Sequence, residues 1–411
     1  MVTDSTAQPR QLPDRPNLRH LKAQAKDLLR AGEAKSIAGA QFKIARLYGF
    51  ASWPQLKAHI DQLEEVGQLK LAIDTNDLGR VQSLMTRNPE LHHAPLGYGK
   101  DGPLTWVAEC RIPWEPPGKV RLAMAKWMIE NGSDLHQGGD GPLGRAALDG
   151  DRIPMMELLV SHGADVNAVW HGHFPIIFSP CEVLDPAALR WLLDHGADPN
   201  CGDPVRARIT GGRDPGTALD YVISTYCRSP EHLAACIDTL LEAGGVTRYD
   251  VPPVLELLRR RFDLLAWHLA ADQSLVKKRF QNLDFGASGG RMLTLKGATL
   301  LHVAAEYGIP EAAALLLQHG AEVNARATVD EAGIGGQTPI FHAVTQGIQT
   351  GLSLARLLID RGADLSIRVN LPGHYERPGE IVECTPLGYA LRFPGGEGRM
   401  VTLLREHAAP E

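Results

Sequence analysis

The chain repeats itself. A Gly-Ala-Asp element occurs as HGADVNA at 162–168, HGADPNC at 195–201, HGAEVNA at 319–325 and RGADLSI at 361–367, with weaker copies NGSDLHQ at 131–137 and AGGVTRY at 243–249. Gly132 to Gly163 is 31 residues and Gly163 to Gly196 is 33; longer gaps such as Gly320 to Gly362 carry Gly/Pro-rich insertions. Upstream of each lies a second element: GPLTWVAE at 102–109, GPLGRAAL at 141–148, GTALDYVI at 216–223, ATLLHVAA at 298–305, TPIFHAVT at 338–345 and TPLGYALR at 385–392, with HFPIIFSP at 173–180 a poorer copy. A period in this range constrains the fold strongly. Each unit is one supersecondary package that cannot bury its own faces, so neighbours must stack to make a core.

Each residue type in the unit has a mechanical job. Thr338 and Thr385 suit helix N-caps through their hydroxyls, and Pro339 and Pro386 suit the first helical position, where a missing N–H costs nothing. Ala304 and Ala305 let two antiparallel helices approach. Gly308 falls where the first helix must stop, because Gly takes a left-handed cap without strain. Pro310 opens the second helix. Leu315, Leu316 and Leu317 form its buried stripe, at roughly 1.5–3 kcal/mol for each side chain fully buried. Gly320 closes it.

On these motifs the chain resembles the ankyrin-repeat family, in its Thr-Pro-Leu-His-x-Ala-Ala and Gly-Ala-Asp-Val-Asn forms. The resemblance is strongest at 141–168, 298–325 and 338–367, and extends to 102–136, 174–201, 216–248 and 385–409. Segments 69–94 and 254–279 look like the variant unit that often opens such an array, with Asn88-Pro89-Glu90-Leu91 and Asp272-Gln273-Ser274-Leu275 in place of Gly-Ala-Asp. The resemblance implies an all-α fold, a solenoid of about nine helix-turn-helix units. The expected organisation is a disordered stretch at 1–16, an N-terminal helical segment at 17–66, a first run of about five repeats at 67–248 and a second of about four at 249–411. His302 and His342, taken as the fourth motif position, are expected to hydrogen-bond backbone between repeats.

In the N-terminal segment Leu18, Leu21, Ala25, Leu28 and Leu29 share a helical face, with Asn17 as its cap. Two further helices break at Gly49 to Pro54. The segment is similar to a helical element of bacterial ankyrin-repeat proteins, and reads as a cap over the first repeat with a solvated basic face (Arg19, Lys22, Lys26, Arg30). Residues 1–66 carry ten Lys/Arg and seven Asp/Glu, whereas the whole chain of 411 residues has net charge −6. That balance argues against a nucleic-acid or anionic-membrane partner. No apolar run approaches the ~20 residues of a membrane span, and no secretory signal is visible. Six scattered cysteines without a C-x-x-C pair read as reduced thiols, hence a cytoplasmic protein.

Constellations that would carry chemistry are thin. His171, His173, Cys181, His195 and Cys201 lack a second close pair for a tetrahedral zinc site, so no metal and no cofactor are expected. Asp284-Phe285-Gly286 stands without the other kinase motifs. GGRDPG and GASGG lack the Lys-Ser/Thr of a P-loop. Acid pairs such as Glu64/Glu65 read as solvated. Arg259, Arg260 and Arg261 form a run too short for nucleic acid. No catalytic residue is assigned, and the chain is not expected to be an enzyme.

What stands out is the length of the turns between units, at 168–174, 201–215, 276–297, 325–337 and 367–384, and the insertion at 111–119. Long loops in compact arrays are often functional. In the family the fingers and first helices line the concave recognition face. The expected contacts are Trp170, His171 and His173; Arg206, Arg208 and Arg213; and His374, Tyr375 and Arg377, because aromatic and Arg side chains are favoured interface anchors. The positive finger at 206–213 suggests an acidic patch on a protein partner. The expected function is that of a non-enzymatic scaffold for protein–protein interaction. The alternatives are a regulatory or inhibitory partner of an enzyme and, less favoured, a metal-dependent enzyme with its site in the insertions.

Overall fold

The computed structural model describes residues 10–13, 16–97, 99–202, 216–286, 291–346, 348–377, 379–393 and 398–407. The chain divides into two compact units, Met1–Gln137 and Gly138–Glu411.

In the first unit α1 (Leu18–Arg30), α2 (Ile37–Leu47) and α3 (Trp53–Asp74) pack in succession. Asn17 caps α1, its Oδ1 accepting from the Arg19 N–H at 2.7 Å, and Ser36 and Ser52 cap the next two helices. Leu21 and Ala25 enter a core with Ala40, Ile44, Ala45, Leu56 and Ile60, with Leu18 and Leu28 packed at its edge. Leu29, expected on the same face, is exposed. Arg19, Lys22, Lys26 and Arg30 face water. α3 runs without a break into the first helix pair, which it forms with α4 (Leu78–Arg87); α5 (Pro103–Glu109) and α6 (Lys119–Glu130) follow as a second pair. Glu65 is not simply solvated: it accepts from Arg87 at 3.0 Å and Asn88 at 2.7 Å, and the Asn88 bond leads in holding its carboxyl below the usual range.

The second unit continues with pairs. They are α7 (Gly141–Ala146) with α8 (Ile153–Ser161), α9 (Phe178–Val183) with α10 (Pro186–Asp194), α11 (Ala218–Ser224) with α12 (Pro230–Glu242), and α13 (Pro252–Leu258) with α14 (Phe262–Ala271). Then come α15 (Leu300–Glu306) with α16 (Pro310–Gln318), α17 (Pro339–Ala343) with α18 (Ile348–Asp360), and α19 (Pro386–Arg392) with α20 (Arg399–Glu406). First helices contact first helices, α9 to α11 and α13 to α15 to α17 to α19. Second helices contact second helices, α10 to α12 and α14 to α16 to α18 to α20. The core therefore lies between two rows. The short first helices are its densest part; every residue of α15 is buried. Among the described residues two short antiparallel hairpins interrupt the helical pattern: β1 (Val169–Trp170) with β2 (Phe174–Pro175), and β3 (Val369–Pro372) with β4 (Ile381–Cys384), the latter in register Val369 to Cys384. Among the described residues no helix is long and apolar enough to cross a membrane.

The Asn that follows Gly-Ala-Asp proves to be a stitch between consecutive turns. Asn167 Nδ2 donates to Gly196 O at 2.9 Å, and its Oδ1 accepts from Asp198 N at 2.8 Å. Asn200 repeats this with Gly244 O and Val246 N, at 3.0 and 2.8 Å. Asn324 repeats it with Gly362 O and Asp364 N, at 2.9 and 2.8 Å. A carboxamide suits the task because it offers a donor and an acceptor side by side. The aspartates shape the turn locally: Asp165, Asp198 and Asp364 each accept an N–H two residues on, at 2.8–2.9 Å. In AGGVTRY the Asn is replaced by Arg248, whose backbone N–H turns to Asp220 at 3.0 Å, so the stitch lapses there.

Several local expectations need correction. The Thr385 hydroxyl caps α19 through Gly388 N at 3.1 Å, but Thr338 makes no such bond. Of the leucine triplet only Leu316 is fully buried; residues at successive helix positions lie 100° apart, so three cannot share one face. Arg259, Arg260 and Arg261 are spent on ion pairs with Asp238, Glu256, Glu231 and Glu311.

Candidate partner-recognition site

The finger of β1 and β2 is built by its turn. His171 adopts a left-handed φ of 50°, beside Gly172, and its N–H donates to Gly138 O at 2.6 Å. The result brings three expected contact residues together. Trp170 is half-buried, with the His171 ring 4.9 Å away and the Arg145 guanidinium 5.8 Å from its own ring; His171 and His173 are exposed and stacked at 6.4 Å. Behind them Phe174 meets Phe178 and Tyr221 edge-on at 5.9 Å, which roots the finger in the first-helix row. Arg206, Arg208 and Arg213 lie outside the described residues.

Fingers further along are tied to one another. Gly335 N donates to Asn370 O at 2.8 Å, Ala327 N to Gln337 O at 2.9 Å and Thr328 N to Gly297 O at 3.1 Å, and Arg291 bridges antiparallel to His374. In this group His374 is partly buried, its ring between Tyr375 at 4.7 Å and Phe393 at 6.3 Å. Tyr375 is exposed, its hydroxyl donating to Glu376 at 3.3 Å; Arg377 is exposed and paired with Glu380 at 3.2 Å. The three share one turn.

Beneath this group lies an ionic cluster that the sequence does not announce. Glu306, at the end of α15, is 0% exposed. Its carboxylate accepts from Arg291 at 2.6 Å, from Arg228 at 2.7 Å and from His342 Nδ1 at 2.7 Å. Burial alone would raise its pKa, but Arg291, Arg228 and His342 outweigh that and hold it at about 2. His342 is pushed down by burial, against the pull of Glu306. A carboxylate can only accept, so His342 donates from Nδ1; its Nε2 has no partner, and the same is true of buried Gln346 Nε2 and Tyr389 Oη. Arg228 also stacks on Tyr307, 4.6 Å from the ring. The cluster joins the loop after α11, the finger before α15, and α15 to α17.

The two histidines therefore part company. His302 Nε2 donates to Gln337 O at 3.0 Å and its Nδ1 accepts from Thr299 N at 3.1 Å, an inter-repeat backbone bond as expected; burial, then His342, holds its pKa at about 3. His342 does not reach backbone. Counted from the threonine before its helix, His302 is three residues on and His342 four, so the second ring is turned 100° further round and meets Glu306. The equivalent residue of α19 is Tyr389.

Among the described residues no group of three His, Cys, Asp or Glu side chains could hold a metal ion. His195 gives its Nδ1 to Trp191 O at 2.7 Å and stacks on that ring, and Cys181 is buried. Glu306, Arg228 and Arg291 were missed because their partners are remote in sequence. The available signal was an acid at the end of an otherwise largely apolar helix.

A family model of ankyrin repeats (3 copies) matches residues 267–369, from within α14 to the first residue of β3. Residues 267–369 are therefore similar to ankyrin repeats. No curated protein matches it.

Proposed function

We propose that the chain recognises another protein non-covalently, as a scaffold whose fingers and first helices form the contact surface. Ankyrin repeats generally serve as protein–protein interaction modules. The observation that carries the reading is the β1–β2 finger, which holds Trp170, His171 and His173 at its tip on a backbone fixed by hydrogen bonds. Preorganised aromatic side chains cost little entropy to bind with and are favoured anchors. Tyr375 and Arg377 add a second exposed group, and the sequence of 206–213 favours an acidic patch on the partner. We read nine repeat units in a solenoid, in runs of five and four. The lapse of the Asn stitch at Arg248 and its return at Asn324 supports a division there.

Capture of a partner from lysate by the intact chain tests this. Removing 367–384 would take out buried Val369 and Leu371, so point substitutions are cleaner. Trp170→Ala with His171→Ala, and Tyr375→Ala with Arg377→Ala, should each lower recovery of the partner at unchanged melting temperature. Equal recovery from all three proteins rejects the finger assignment.

A further inference from the structure

The three tied fingers enclose a cavity of about 220 Å³, walled by Met292, Leu293, Ile334, Leu371 and Pro372 and by Gln281, Thr294, Lys296, Thr328, Asp330 and Gln337. It is smaller than the ~300–1,000 Å³ of typical small-molecule sites, and matches a single large side chain. Leu293 and Leu371 are buried and Met292 is exposed at the mouth, so much of the wall is apolar. One polar group stands out. Gln337 is 3% exposed, and its Oε1 has no hydrogen-bond partner. The amide cannot turn to correct this. Its Nε2 donates to Thr294 O at 3.2 Å, and rotation would set two oxygens against each other; its backbone O is held by His302 and Ala327. A buried acceptor without a donor is costly.

We infer that this cavity is a specificity pocket for a tryptophan or tyrosine side chain of the partner, its ring against Leu293, Ile334 and Leu371 and its N–H or O–H given to Gln337 Oε1. The inference rests on the proposed recognition function and names what is recognised. The other occupants fit less well. An aliphatic or phenylalanine side chain fills the space and strands the acceptor. Lysine or arginine supplies donors but meets the apolar wall and the exposed Lys296. A carboxylate meets the Gln337 oxygen. Asp330 is exposed and its charge is screened by water, and its Oδ1 is already taken by Ala332 and Ile334 N–H groups at 2.9 Å, so its pull on a cation is weak. Tryptophan and tyrosine combine an apolar body with one donor.

The test uses the full chain, methyl-labelled at Met, Leu and Ile, titrated with N-acetyl-tryptophan amide and N-acetyl-phenylalanine amide. The tryptophan probe should shift the methyl signals of Met292, Leu293, Ile334 and Leu371 and bind about tenfold more tightly than the phenylalanine probe. Thr328→Trp places a ring in the cavity from an exposed position and should abolish binding of both probes; Met292→Trp serves if that variant does not fold. Equal affinity for the two probes, shifts confined to other methyls, or binding that survives the filled cavity each overturn the pocket. If a filled variant still captures the partner that the Trp170 and Tyr375 variants lose, the pocket falls and the finger reading stands. If all variants capture it equally, the finger reading falls as well.

Discussion

The finger at 169–175 and the fingers at 280–298, 327–337 and 369–384 grow from similar helix pairs and are held in different ways. The first is rooted by Phe174 and leaves His171 and His173 in water. The others bond to one another, and one of them sends Arg291 down to a carboxylate with no exposure at all. A long turn is thus not one kind of object. Where it supplies the counter-charge for a buried acid it becomes part of the core, and removing it would cost what breaking a buried ion pair costs. Where it does not, it is free to serve as a contact surface.

The largest test of that contrast is Glu306→Ala. It leaves Arg228 and Arg291 buried without their carboxylate, and should destabilise by about 3–5 kcal/mol, read as a lower urea midpoint. A change under about 1 kcal/mol would show that the tied fingers are not structural.

Acid should come next. His302 and His342 have folded pKa values below the ordinary 6.5, the first at about 3, so the unfolded chain binds protons that the folded chain refuses. Their contribution is complete above pH 6.5 and is lost progressively as pH falls from there toward the folded pKa, about 3 for His302. By pH 5 about 2 kcal/mol of the His302 contribution has been lost; His342 adds a loss of the same sign. Glu306, also depressed, adds a loss only between pH 4.5 and about 2. Hydrogen exchange at pH 7 and pH 5 should show protection falling first at 298–345. His302→Asn with His342→Asn should flatten the response between those two pH values.

Asn324→Ala and Asn167→Ala each remove two bonds between turns and should cost about 1–2 kcal/mol by thermal unfolding; similar values for both would place the stitch under both kinds of finger alike. The smallest effect on stability is expected from His171→Ala, within about 0.5 kcal/mol. A larger loss would make the first finger structural too, and erase the contrast.

Much of the frame was legible. Prolines open α16, α17 and α19, and Gly308 and Gly320 take left-handed φ of 65° and 87° where the helices stop. Asn17 and Thr385 cap as read. Thr338 did not, and one residue of offset sent His342 to a carboxylate and not to backbone. The candidate site was legible in part: Trp170, His171 and His173 do share one tip, and His374, Tyr375 and Arg377 share another. Arg291 and Gln337 gave no warning, since nothing periodic marks a residue that crosses from one finger to a neighbouring repeat.

The sequence by itself determined where many of the helices begin and stop, because caps, prolines and left-handed glycines act on the few residues beside them. Only the tertiary structure decided which fingers are tied to one another and to the buried acid and which stands apart. That choice turns on charges such as Arg228 and Glu306, which are 78 residues apart in the chain and 2.7 Å apart in the fold. A buried charge is tolerable only where a partner is brought to it, and no local pattern states which partner will arrive.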